Sequence, residues 1–197
     1  MFKELRYKLI SDAPLLMGNV RLANPLDPIV KQMKEITSKR KKTEDDLLRL
    51  MELEWEGGLY LDEKGRPCLP GDLVMGMLVA SARMDKLGKT FRAGVVCGGS
   101  FPLEYDGPKT LDGLRADPRF RVVKMVTVQR AKILRTWPAF PEWRVDVVIH
   151  YHPAILNESQ ITTAIERGGM FCGFCNYRPT YGRFHLDAKS NGRAKAG

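Results

Sequence analysis

The chain opens on an alternation of apolar and polar residues. From Phe2 to Ile10, Leu5, Tyr7 and Leu9 fall on one face and Arg6 and Lys8 on the other, the period of a half-buried strand. The period then lengthens. Asp27-Pro28 has the chemistry of a helix start, and Ile29, Met33 and Ile36 come next at helical spacing. Thr43-Glu44-Asp45-Asp46 opens a second helix with its acids at the positive end of the dipole, an apolar stripe of Leu47, Leu48, Met51 and Trp55, and an acidic far end at Glu52, Glu54 and Glu56. Residues 27–56 therefore predict a charged helical hairpin with Lys39-Arg40-Lys41-Lys42 at its tip. It is either a protruding thumb or a solvated insertion over a sheet edge.

The stretch GGLYLDEKGRPCLPGDLVMGMLVASAR, Gly57 to Arg83, organises the rest of the chain. A short apolar run, an Asp62–Gly65 turn and a return strand limited by Pro67 lead to Pro70-Gly71. Asp72 then reads as the N-cap of a helix reaching about Lys86, apolar nearly all round and buried on more than one side. Gly76 inside it costs about 1 kcal/mol relative to alanine, which predicts close approach of another backbone. Residues 88–120 read as an irregular, glycine-rich loop region with a brief strand at Val95-Val96-Cys97 and a short helix from Leu111, broken at Asp117-Pro118. Arg121–Arg135 reads as one strand, Thr136–Pro141 as a turn, and Glu142–His152 as its antiparallel partner beneath the Asp72 helix. Asn157 caps a helix with Ile161, Ala164, Ile165 and Gly168 on one stripe, stopped or kinked at Gly168-Gly169, and Tyr181–Leu186 is the last strand. The order is βαββαβ, which predicts an α+β fold of ferredoxin-like type with a charged helical insertion. Residues 1–188 read as one domain and 189–197 as a disordered basic tail.

Pro70, Gly71, Gly76 and Leu78, preceded by Asp62-x-x-Gly65, resemble the glycine-rich signature of the RAMP superfamily, the RNA-binding, RRM-like subunits of CRISPR effector complexes. Pro14-Leu15-Leu16-Met17-Gly18 is a second, shorter echo of the same family. The chain departs from the signature where the family has paired serines, a lysine and an arginine; here those positions hold Asp72-Leu73, Met75 and Val79, with Arg83 one turn later. The resemblance covers about the first ninety residues. It implies an RRM-like fold, RNA binding and side-by-side assembly along a strand, as a homo-oligomer or among effector-complex subunits.

Charge agrees with a polyanionic partner: the formal net charge is +9 over 197 residues. Three basic groups are candidates for single-stranded nucleic acid, RNA or DNA. They are the block Lys39, Arg40, Lys41 and Lys42; the run Arg83, Lys86, Lys89 and Arg92; and the aromatic-interleaved loop Arg178, Tyr181, Arg183 and Phe184, suited to stacking on bases. No cofactor, metal site or catalytic residue is assigned. Cys172-x-x-Cys175 is one short ligand pair where zinc needs about four ligands. His150 and His152 share a strand face, which keeps a metal-independent ribonuclease as a third reading. The second reading is a phage or mobile-element structural or host-interaction protein whose basic patches meet an acidic protein partner. Four scattered cysteines, no signal-peptide pattern and no membrane-length apolar run predict a cytoplasmic protein with reduced thiols.

Overall fold

A computed structural model describes residues 1–128 and 131–188; the expected tail at 189–197 lies outside the described residues. In chain order the elements are β1 (Lys3–Ser11), β2 (Leu15–Leu16), α1 (Pro28–Thr37), α2 (Glu44–Gly58), β3 (Cys68–Pro70), α3 (Gly71–Ala82), α4 (Gly88–Gly94), β4 (Val95–Val96), β5 (Ser100–Glu104), α5 (Leu111–Ala116), β6 (Arg121–Val128), β7 (Ala131–Phe140), β8 (Arg144–Tyr151), α6 (Glu158–Phe171) and β9 (Phe184–Leu186). They gather into two compact units, one of residues 1–15, 61–106 and 142 onward, the other of residues 16–60 and 107–141.

The first unit is built on an antiparallel sheet in the order β3-β5-β8-β1-β9, with β4 also pairing β8. Its central register runs from Lys3 opposite Tyr151 to Ile10 opposite Arg144. With β1, β5, β8 and β9 as the four strands of a βαββαβ chain, the order is 2-3-1-4, the ferredoxin-like arrangement expected from the pattern. Alternation buries Leu5, Tyr7 and Leu9 of β1 with Val145, Val147 and Ile149 of β8. Helix α3 packs along α6, and the Tyr7 hydroxyl meets Thr162 Oγ1 of α6 at 3.0 Å. Asn157 caps α6 in a capping box with Gln160, as its sequence requires.

Two expectations of helix chemistry are corrected by the structure. Asp72 is not the N-cap of α3; Pro70 is, and Asp72 lies in the first turn without a capping hydrogen bond. Gly168-Gly169 does not stop α6, which runs on to Phe171. Instead, a Cβ at Gly168 would meet the Met77 side chain, and one at Gly169 would strike the Phe184 carbonyl. Gly71 plays the same part against the Cys97 carbonyl. Gly76, the position expected to admit another backbone, is exposed and has nothing within 4 Å of an added Cβ. The close approaches that the signature stretch suggested therefore occur at its Pro-Gly opening and on α6. Only the helix-propensity penalty remains at position 76. Gly76→Ala should raise stability by about 0.5–1 kcal/mol, read as a higher melting temperature; a lower one would mean a neighbour occupies that space.

The second unit holds the helical hairpin. Asp27 caps α1 through Ile29 N–H at 2.9 Å with Pro28 at its start, and Thr43 and Asp46 close a capping box on α2. Ile29, Ile36 and Leu53 are buried together, with Met33 and Leu50 packed against them. Leu47 and Leu48, read as part of the α2 stripe, are exposed, and Glu54 is buried instead. The best apparent strand, Arg121–Arg135, is a hairpin: β6 and β7 pair from Arg121 opposite Pro138 to Val128 opposite Ala131. The strand at Glu142–His152 pairs with β1, β4 and β5, not with residues 121–135. The Gln129-Arg130 sequence carries none of the glycine, proline or asparagine signals of a tight turn, whereas Pro138 and Pro141 falsely mark one. Glu54 anchors the hairpin: it accepts from Thr136 N–H at 2.8 Å and from Arg135 Nη1 at 2.5 Å. Trp55 Nε1–H donates to the Phe120 carbonyl at 2.8 Å.

Candidate nucleic-acid interface

The basic run after the signature helix folds into one concave surface. Helix α3 gives way at Ala82 to a 3₁₀ turn, Arg83–Asp85, and Lys86 reverses the chain in the left-handed region at φ 60° and ψ 15°. Its N–H reaches the Arg83 carbonyl at 3.0 Å and Leu87 N–H the Ala82 carbonyl at 2.9 Å, so α4 doubles back beside α3. Arg83, Lys86, Lys89 and Arg92 consequently line a hollow of about 490 Å³ with Val79 and Gly88. The Arg83 stem lies over Gly88, where a Cβ would meet its Cγ at 2.7 Å. A second hollow of about 320 Å³ adjoins it along α3, shares Val79, Arg83 and Arg92, and adds Asp72, Met75 and Gly76. All four cations are exposed, and among the described residues none has an acid within ion-pair distance. Asp85 in the same turn is already paired with Arg167 Nη1 at 2.5 Å. Position 75, the signature's lysine, does face the hollow, but here it is Met75. The sequence pointed to the cations; it did not show that Asp72 and Gly76 share their surface. The i, i+4 spacing of those two is the signal that could have.

Lys86 sits where glycine or asparagine is usual. A left-handed conformation costs a side-chain-bearing residue about 1–2 kcal/mol. Lys86→Gly should therefore stabilise the fold by about 1 kcal/mol while weakening binding of a polyanion. Urea unfolding and an affinity measurement on the same variant check the opposite signs; unchanged or tighter binding would show that Lys86 has no part in the surface.

The aromatic loop is only partly as expected. Phe184 is 1% exposed and stacks on Phe174 at 4.8 Å between centroids, so it is not available to a base; inward alternation of β9 buries it. Tyr181 is half-buried and meets Tyr177 edge-on at 6.2 Å. Arg178 and Arg183 are exposed, as is Tyr177, an aromatic outside the pattern that marked the loop. Arg183 lines a different hollow, beside Asp12 and His185, which shares no residue with the one holding Arg83. The block at 39–42 joins α1 to α2 in the second unit. Lys39 Nζ is held by Asp46 at 2.5 Å and Lys42 Nζ by the Lys39 carbonyl at 3.1 Å, which leaves Arg40 and Lys41 extended into solvent.

The sheet's outer face in the first unit offers little to a polyanion. Two of its cations are matched by acids, Arg6 with Glu4 at 2.7 Å and Lys8 with Glu104 at 3.0 Å. The Arg6 guanidinium holds the Glu4 carboxyl below the usual carboxylate range. His150 faces Glu4 at 3.4 Å, and His152 accepts the Ala154 N–H at 3.3 Å and meets Phe2 edge-on. The thiols of Cys172 and Cys175 are free, and burial pushes Cys175 up to about 12, against the pull of Arg178. Among the described residues no three His, Cys, Asp or Glu side chains gather as a metal ion requires, and no helix is long and apolar enough to cross a membrane.

No family model matches the chain, and no curated protein matches it. Among solved structures it is similar to a chain of the Type III-B Cmr-beta complex bound to cognate target RNA, with a TM-score of 0.53 and 10% sequence identity. The match takes in 94% of this chain and 59% of that one, so the chain spans about three fifths of the length of its structural neighbour. At that identity the likeness is one of fold alone.

Proposed function

We propose that the chain binds single-stranded RNA along its phosphate backbone through the hollow between α3 and α4, as a non-catalytic, RAMP-like subunit of a CRISPR effector complex. The observation that carries this reading is the set of four exposed cations, Arg83, Lys86, Lys89 and Arg92, gathered on one concave surface with no ion-pair partner among the described residues. Polyanions bind such surfaces by releasing counterions. The fold likeness to a chain of an RNA-bound Cmr-beta complex supports the choice of ligand. Arg40 and Lys41 on the other unit, and Arg178 and Arg183 on the loop before β9, are further phosphate contacts in this reading, with Tyr181 as a stacking partner at the loop. Assembly along the strand, with copies of itself or other subunits, comes from the same resemblance.

The test is the nucleic acid that accompanies the purified protein. A 260/280 nm absorbance ratio above that of protein alone, lowered by ribonuclease and not by deoxyribonuclease, is the expected result. A protein free of nucleic acid that also fails to bind single strands at low salt would favour an acidic protein partner instead.

A further inference from the structure

The hollow is more than a set of cations. One carboxylate, Asp72, lines the adjoining hollow along α3, one turn before Gly76, together with Met75 and the shared Arg83 and Arg92. Its place in the first turn of α3 suits the helix dipole, but neither capping nor ion pairing makes use of it. Asp72 makes no capping hydrogen bond on α3, and among the described residues it forms no ion pair, even with the two arginines that line the same hollow. A negative group placed there weakens the field that the four cations make for phosphate.

The rest of the lining narrows what Asp72 could recognise. Neither adjoining hollow is lined by an aromatic ring. Bases held without sequence preference are commonly stacked on such rings, so this surface is fitted to the backbone, with the cations on phosphates. An ionised carboxylate only accepts hydrogen bonds. Phosphates offer no donor, and the sole donor along an RNA backbone is the ribose 2′-hydroxyl, which DNA lacks. Gly76 leaves the space beside Asp72 open, with nothing within 4 Å of where its Cβ would stand.

We propose that Asp72 accepts a hydrogen bond from a ribose 2′-hydroxyl and so makes the hollow between α3 and α4 select RNA over DNA. This rests on the reading of that hollow as a backbone site. It assigns Asp72 a specificity role, at a position where the resembled signature carries serine.

The experiment compares oligomers of about 12 nucleotides, uridine, deoxyuridine and 2′-O-methyluridine, by fluorescence anisotropy, with wild type, Asp72→Ala and Asp72→Asn. Circular dichroism confirms that each variant is folded. Wild type should bind the uridine strand roughly three- to tenfold more tightly than the other two, the value of one hydrogen bond. Asp72→Ala should abolish the difference while binding deoxyuridine at least as tightly as wild type does. Asp72→Asn, which keeps a carbonyl acceptor without the charge, should retain part of the preference and bind all three more tightly. Equal binding of the three strands by wild type, or a preference that survives in Asp72→Ala, overturns the proposal and leaves the backbone site standing. Failure of wild type to bind any strand overturns both.

Discussion

Gly169→Ala should lower stability by about 3 kcal/mol, the upper end of the range for overpacking a filled site. Its Cβ would strike the carbonyl oxygen of Phe184 and stand 2.9 Å from that residue's ring. A backbone carbonyl in β9 has no rotamer to escape into. Relief requires moving α6 away from β9, whose three residues are tied to β1 by only a short register, Leu9–Ser11 against Leu186–Phe184. At roughly 2–4 °C per kcal/mol for a chain of this size, the melting temperature should fall by roughly 6–12 °C. Gly168→Ala presses instead on the buried Met77 side chain, which is flexible, and should cost less. With Gly76→Ala expected to stabilise, the same substitution at three glycines should give three different outcomes. An unchanged melting temperature for Gly169→Ala would mean that α6 and β9 are not packed as described.

The second large effect concerns the anchor of the β6–β7 hairpin. Glu54 is 4% exposed. Glu54→Ala strands the Thr136 N–H in a buried site and removes the counter-charge of Arg135. Breaking a fully buried pair costs about 3–5 kcal/mol. Arg135 keeps 41% of its side chain in solvent, so its charge rehydrates, and about 2–3 kcal/mol is the expected loss. Glu54→Gln retains an acceptor for the Thr136 N–H and should cost less. Native-state hydrogen exchange reads the effect in place: amides of β6 and β7 should lose protection in Glu54→Ala while those of β1 and β8 keep theirs. Uniform loss across both sets would show that Glu54 supports the whole chain.

The features legible in the sequence were local ones. Asp27, Thr43 and Asn157 announce their helices because capping is settled within three residues. The α3–α4 cations were legible because one chain reversal at Lys86 brings all four together. The hidden features depend on partners far along the chain. Glu54 looks like surface charge until Arg135, 81 residues later, folds onto it. Phe184 reads as an exposed aromatic among arginines until Phe174 and Trp143 close around it. The β6–β7 reversal was missed because its sequence lacks turn chemistry. The glycines carried the right message at the wrong position: close backbone approach does occur, at Gly71 and Gly169, and Gly76 instead leaves open a hollow lined by charge.

The central claim is that the hollow between α3 and α4 holds a nucleic-acid backbone, and the salt dependence of binding tests it most directly. Each phosphate neutralised on a single strand contributes roughly −0.7 to the slope of log affinity against log salt. Wild type should show a slope of roughly −2.8 or steeper on single-stranded RNA. The variant with Arg83, Lys86, Lys89 and Arg92 all changed to alanine should show a slope shallower by roughly 2.8, whereas changing Arg40 and Lys41 alone should remove at most about 1.4. A slope that survives the fourfold change would contradict the account, because the backbone would then be held elsewhere.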